Sequence, residues 1–294
     1  TGRAHAQCSR HAPRDARGAQ TGSPTTNTIT RMDLGLTGRT ALVTGASSGL
    51  GLAIAQELAR EGAAVAMVAR RAELLQREAA DLVARTHHRV LPLVADVTDA
   101  GAALAAIDEA EATLGPIDVL VANAGGPPST TADTTTEAQL RGALELNLLA
   151  SIRLAQRCVP GMRARGWGRV LFLSSMAAKQ PLPGLLLSNT ARAGLLGYAK
   201  TLAAEVARDG VTVNTVLPGH FETARARALA EMRAEREGRP VEALLAARMQ
   251  AIPVGRSGMP SELAAAVAFL ASARASFITG VALQVDGGQV SSLL

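Results

Sequence analysis

Seven short apolar runs, at 40–43, 64–69, 90–95, 119–122, 170–173, 211–216 and 282–285, alternate with longer segments of helical spacing, at about 50–61, 72–85, 100–114, 137–165, 188–208 and 261–272. Strands buried on both faces read as near-continuous apolar runs, and helices must return between them to cover those faces. The alternation therefore predicts an α/β architecture: a doubly wound parallel sheet of about seven strands, of Rossmann type, with helices on both faces and right-handed crossovers. In such a sheet a ligand sits at the carboxyl ends of the strands. No linker interrupts the pattern, so 32–294 reads as one domain. The segment at about 222–250 has no strand pattern, and as a charged helical stretch it predicts a lid over the site. Its arginines are interleaved with glutamates at helical spacing, which reads as a solvated face.

The sequence joining the first strand to the first helix is Thr44-Gly-Ala-Ser-Ser-Gly-Leu-Gly51. Strand, glycine turn and helix together bring backbone N–H groups and a helix N-terminus up to a phosphate. Gly45 permits the tight turn, Gly49 lets the backbone approach a ligand, and Gly51 lets helix and strand pack closely. The hydroxyls of Ser47 and Ser48 add donors.

Composition excludes several classes of function. No apolar run approaches the ~20 residues of a membrane span. Aromatic residues make up 2% of the chain, too few for a stacking platform on single-stranded nucleic acid. Cys8 and Cys158 lie far apart, which gives neither a disulfide framework nor a metal cluster and fits a reducing, cytoplasmic setting. The formal net charge is +5, but residues 1–31 hold five arginines against Asp15 and so carry four of those charges. The basic balance belongs to that tail and is not a nucleic-acid footprint on the fold. Residues 1–31 lack apolar periodicity and the apolar core of a secretory signal, and read as a disordered basic extension ahead of Met32, which looks like a natural first residue.

Further motifs follow in order. Asp96-Val97 closes the third strand and Asn123-Ala124-Gly125 the fourth; Asn147 lies in the next helix; Ser174-Ser175 ends the fifth strand. Asn214 to Gly219 ends the sixth, Thr223 follows four residues later, and Phe277 to Gly280 and Val285 to Gly288 complete the set. In this order, over about residues 34–290, the chain resembles the short-chain dehydrogenase/reductase family. The resemblance implies that Ser47, Ser48 and Leu50 cradle a pyrophosphate, and that Asp96 and Val97 flank an adenine. It places Asn123, Ala124 and Gly125 along the adenine ribose, and Pro218, Gly219, Phe221 and Thr223 at the nicotinamide end.

The end of the second strand distinguishes NAD(H) from NADP(H). An NAD(H) site wants a carboxylate there for the ribose hydroxyls. Here Ala69 is followed by Arg70 and Arg71, and a guanidinium suits a 2′-phosphate, so the expected cofactor is NADP(H).

The catalytic positions depart from the family. There, chemistry rests on Asn, Ser, Tyr and Lys, with the Tyr about thirteen positions after the Ser. Counting from Ser175 reaches Ser188, and four residues further Arg192, so Tyr-x-x-x-Lys is replaced by Ser-x-x-x-Arg. Tyr198 lies ten residues past Ser188, roughly 15 Å along a helix and nearly a right angle around it, and reads as core or interface. Arg192 can keep a ribose contact but cannot change protonation state near neutral pH. Ser188 is a weak acid in place of a phenol, which leaves Lys179 and His220 as other groups able to polarise an oxygen or supply a proton. The catalytic set expected is Asn147, Ser175, Ser188 and Arg192, with no metal.

The resemblance thus implies an NADP(H)-dependent oxidoreductase interconverting a small-molecule carbonyl and a secondary alcohol, similar to 3-oxoacyl-carrier-protein reductases. It also implies a homodimer or homotetramer paired through helices at about 137–165 and 188–208 and the C-terminal strand. The alternative is an NADP(H)-binding protein without redox turnover, a sensor or structural subunit.

Overall fold

The computed structural model describes residues 32–293. The expectations for residues 1–31 lie outside them. The sheet is built from β1 (Thr40–Thr44), β2 (Ala64–Ala69), β3 (Val90–Val94), β4 (Val119–Ala122), β5 (Gly168–Leu173), β6 (Val211–Pro218) and β7 (Ala282–Val285), in the order β3-β2-β1-β4-β5-β6-β7. Every neighbouring pair is parallel. The chain reverses its direction of travel across the sheet between β1 and β4, where Val43 is in register with Met67 on one side and Val121 on the other. This is the switch point at which an open α/β sheet leaves a crevice.

Successive strand residues point to opposite faces, so each continuous apolar run feeds two cores. Val43, Val65 and Met67 pack beneath α1 (Gly49–Arg60), α2 (Ala72–Thr86) and α9 (Pro260–Ala271). Leu42, Ala66 and Val68 pack on the other side, beneath α3 (Ala100–Leu114), α5 (Ala150–Ala164) and α6 (Leu186–Val206). Cys158 is buried in that second core, and burial pushes its thiol up to about 12, which leaves it inert. Tyr198 is partly buried and packs edge-on against Phe172 at the rim of that core, centroids 6.0 Å apart at 70°.

Two elements differ from the sequence expectation. The single helix expected over 137–165 is divided into α4 (Glu137–Leu144) and α5 by a π-helical turn at Glu145–Leu149, which holds Asn147. Such turns insert one residue and re-aim the side chains around it, often at functional sites. The stretch at 222–250 forms two helices, α7 (Ala224–Glu237) and α8 (Val241–Gln250). Gly238, at φ 61, ends α7 in the left-handed region, and Pro240 caps the start of α8. Among the described residues, no helix is long and apolar enough to cross a membrane, and no group of three or more His, Cys, Asp or Glu is arranged to hold a metal ion.

Candidate cofactor and active site

The glycine turn between β1 and α1 is held from below. Gly45 and Gly49 have φ of +62 and +58, values that disfavour any side chain. A Cβ on Gly45 would lie 2.6 Å from Asn123 Nδ2, and one on Gly51 would overlap the Gly45 carbonyl oxygen. Asn123 fills this space for a reason: its Nδ2 donates to the carbonyls of Thr44 at 3.1 Å and Gly45 at 3.5 Å. Thr44 Oγ1 donates to the Asn123 carbonyl at 2.7 Å and accepts from its N–H at 2.8 Å. Its carboxamide thus faces the turn and shapes it.

The first turn of α1 stands open. Asp99 caps α3 and Thr136 caps α4 through their side chains, but Ser48 makes no such bond at α1, and no acidic residue lies in that first turn. The leading N–H groups of α1 therefore keep their hydrogen-bonding capacity and the positive end of the helix dipole. The hydroxyls of Ser47 and Ser48 instead accept from Arg71 Nη2, at 3.2 and 2.6 Å. Arg70 turns the other way, its Nη1 3.4 Å from Asp96 Oδ2. The N–H and hydroxyl of Thr98 donate to Asp96 Oδ1, and these bonds hold its carboxyl below the usual range. The Val97 carbonyl accepts from Arg153 Nη1 at 3.3 Å, which ties this flank to α5.

The opposite wall comes from the end of β6. A Cβ on Gly219 would lie 2.6 Å from the Asp286 Cα, and Phe221 is buried against Gly258. Thr223 Oγ1 caps α7 by accepting from the Ala226 N–H at 3.1 Å, and its methyl lies 3.6 Å from where a Gly49 Cβ would stand. The start of α7 therefore approaches the glycine turn.

The expected catalytic set gathers around the ends of β4 and β5, where α6 packs against both the π turn and the short 3₁₀ turn at Met176–Ala178. Asn147 is buried; its Nδ2 donates to the Gly125 carbonyl at 2.8 Å, and its Oδ1 has no partner among the described residues. Ser175 Oγ accepts from the Ala177 N–H at 3.1 Å. Ser188 lies in the first turn of α6, 9% exposed, and Arg192 follows one turn later on the same side, 7% exposed. Arg192 Nη1 donates to the carbonyls of Leu173 at 3.1 Å and Ser174 at 2.7 Å, while its Nε is buried with no partner among the described residues. Burial, with Arg225 nearby, lowers its guanidinium to about 10. A cavity of about 320 Å³ opens on the face of α6 that carries Leu186, Asn189 and Thr190, against Thr130 and Leu182; its lining does not include Ser188 or Arg192.

The structure gives one candidate acid a cationic neighbour and brings out one residue the sequence passed over. His220 Nε2 lies 3.3 Å from Arg248 Nη1, and burial with that cation lowers the imidazole to about 4, which favours the neutral ring and weighs against a proton-donor role. Lys179 closes the Met176–Ala178 turn through its backbone N–H. Between residues 222 and 250, Arg227 pairs with Glu231 as a solvated helical face should, but Arg225 donates to the Gly126 carbonyl at 2.7 Å. Charge spacing alone could not separate these two arginines, since both read as exposed helical positions.

Fold and site together define a Rossmann-type α/β domain with an open glycine turn at its switch point. Residues 45–289 match the family described as enoyl-(acyl carrier protein) reductase. The chain belongs to the short-chain dehydrogenase/reductase family. It is 37% identical over 253 residues to nodulation protein G of a Rhizobium species, covering 86% of this chain and 97% of that one. It is 36% identical over 251 residues to the 3-oxoacyl-acyl-carrier-protein reductase FabG of Salmonella typhimurium, covering 85% and 97%. The crystal structure of L-sorbose reductase from Gluconobacter frateurii, complexed with NADPH and L-sorbose, superimposes with a TM-score of 0.85 at 36% identity, over 89% of this chain and 100% of that one.

Proposed function

We propose that the chain is an NADP(H)-dependent oxidoreductase that interconverts a carbonyl and a secondary alcohol on a small molecule, using Ser188 and Arg192 where the family has Tyr and Lys. The observation that carries this is the pairing of an uncapped α1 N-terminus with Arg70 and Arg71 at the end of β2, where no carboxylate stands. The residues present fit the dinucleotide: Gly45 and Gly51 leave no room for side chains, so the backbone itself forms the cradle. The N–H groups of Gly49 and Leu50, with Ser47 and Ser48, would hold the pyrophosphate. Arg70 and Arg71 would hold the 2′-phosphate, Asp96 and Val97 the adenine, and Ala124 and Gly125 the ribose. Pro218, Gly219, Phe221 and Thr223 would border the nicotinamide.

When bound, the cofactor supplies the hydride. The Ser175 hydroxyl would orient the substrate oxygen, and Ser188 would pass a proton to it. The Asn147 Oδ1, buried and without a partner among the described residues, would hold the water that returns a proton to Ser188. Arg192 stays cationic throughout, and its Nε has capacity left for a ribose hydroxyl. Replacing a positioned phenol with an aliphatic hydroxyl costs about 10²–10⁴-fold in rate, so turnover is slow. The relatives named as 3-oxoacyl-acyl-carrier-protein and L-sorbose reductases support carbonyl reduction over a binding-only role.

Loss of NADPH absorbance with a panel of 3-oxoacyl thioesters, ketoses and simple ketones tests the reading. Turnover on at least one class is expected; tight NADPH binding with no turnover on any would sink it. We further assign residues 222–250 as a lid, a homodimer or homotetramer as the working assembly, and the cytoplasm as its location. Sedimentation of the purified chain checks the assembly.

A further inference from the structure

One side chain brackets the π turn that holds Asn147. Arg153, on α5, donates through Nη2 to Glu145 Oε1 at 2.8 Å and through Nη1 to the Val97 carbonyl at 3.3 Å. Glu145 is the first residue of the π turn, and Arg153 stands beyond its last, Leu149, so the pair straddles Asn147. Their separation of eight residues is about 12 Å along a regular helix, and the ion pair therefore spans the turn lengthwise. The two side chains are 23% and 31% exposed, which screens this pair less than the ion pairs on the open surface. The second arm of Arg153 ends on the loop after β3, where the two bonds from Thr98 to Asp96 keep Val97 in place.

A π turn differs from an α turn by one inserted residue, and neighbouring contacts must hold it against relaxing. Loss of the insertion would turn the helix on one side of it by about 100° relative to the other. Asn147 would then leave the Gly125 carbonyl, which it reaches at 2.8 Å, and its Oδ1 would no longer face the same space. A guanidinium can oppose that slip from two directions at once, because its fork presents separate N–H groups to Glu145 and to Val97. We infer that Arg153 is a positioning residue for the proton path: through Glu145 it holds the π turn in the register that aims Asn147, and through Val97 it ties that register to the adenine flank of the cleft. This inference rests on the oxidoreductase reading above. Arg153 acts through its two partners and is assigned no contact with the reacting atoms.

The test measures kcat on the best carbonyl substrate and NADPH affinity by calorimetric titration, in wild type, Glu145→Ala, Arg153→Met, Asn147→Ala and the Glu145→Ala, Asn147→Ala double variant. Glu145→Ala cuts the π-turn arm alone and is expected to lower kcat about 10-fold with NADPH affinity within about 2-fold of wild type. Arg153→Met cuts both arms and is expected to lower kcat equally and to weaken NADPH about 3- to 10-fold. If Glu145 acts through Asn147, adding Glu145→Ala to Asn147→Ala lowers kcat by less than about 2-fold more, whereas a general loss of structure adds in full. Full additivity in the double variant overturns the inference, and so does an unchanged kcat in Glu145→Ala. NADPH affinity equal to wild type in Arg153→Met overturns the link through Val97. If Glu145→Ala does not fold, Glu145→Gln, which keeps the size and loses the charge, takes its place in the same cycle. Absence of turnover by wild type on every class of carbonyl overturns the oxidoreductase reading itself, and the inference with it.

Discussion

Arg192 donates through Nη1 to the backbone carbonyl of Ser174 at 2.7 Å, and the Ser174 hydroxyl returns a bond to the carbonyl of Arg192 at 3.4 Å. This reciprocal stitch fastens the end of β5 to the second turn of α6. It explains how a buried cation persists without a counter-ion: the carbonyls that end β5 solvate it. Arg192→Met is expected to strand the Leu173 and Ser174 carbonyls and to cost about 1–3 kcal/mol in urea unfolding. NADPH affinity should fall with it.

The Ser188→Tyr, Arg192→Lys double variant restores the family's pair. Turnover of the best carbonyl substrate, followed by NADPH absorbance, is expected to rise at least about 10-fold, within the range of one positioned acid. The Arg192→Lys change alone should give no such gain. An inactive but folded double variant would show that more than the acid is missing.

Asn123→Ala removes the donor that braces the Thr44 and Gly45 carbonyls. The expected results are a loss of about 1–3 kcal/mol in stability and NADPH binding about 10-fold weaker, since the cradle depends on that turn. Melting curves and calorimetry separate the two effects. An unchanged turn would leave both readings at their wild-type values.

The Arg70–Asp96 pair is exposed, so its removal should leave the melting temperature nearly unchanged. The Arg70→Ala, Arg71→Ala variant is nevertheless expected to lower the preference for NADPH over NADH by about 10- to 100-fold, because a 2′-phosphate loses its charged partners. The ratio of the two dissociation constants is the measurement.

His220 gives a pH dependence of defined sign. Its folded-state value of about 4 lies below the ordinary 6.5. Between those values the unfolded chain binds a proton that the folded chain refuses, so stability rises with pH across this window. The contribution is complete above 6.5 and is lost as pH falls toward 4. His220→Gln is expected to flatten the dependence of unfolding free energy on pH between 4 and 6.5, read from urea unfolding at several pH values. An identical slope in the variant would show that His220 is not the source.

Much of this protein was readable from its residues, because the signals are local. Apolar runs buried on two faces made the strands legible, and the glycines from Gly45 to Gly51 made the cradle legible, since each requirement is met within a few neighbours. Spacing likewise located Ser188 and Arg192, four residues apart on one helix. Side-chain partners across the fold were not legible. Asn123 lies 79 positions from Thr44 and Arg225 lies 99 from Gly126, and only the parallel pairing of β1 with β4 and the path of α7 bring them together. The π turn at Asn147 was equally hidden, because a single inserted residue barely disturbs apolar periodicity. The sequence by itself determined the layered sheet and the glycine turn at its switch point. Tertiary structure alone decided which charges face one another, because hydrogen bonds and electrostatic repulsion depend on distance in space, which residue spacing does not report.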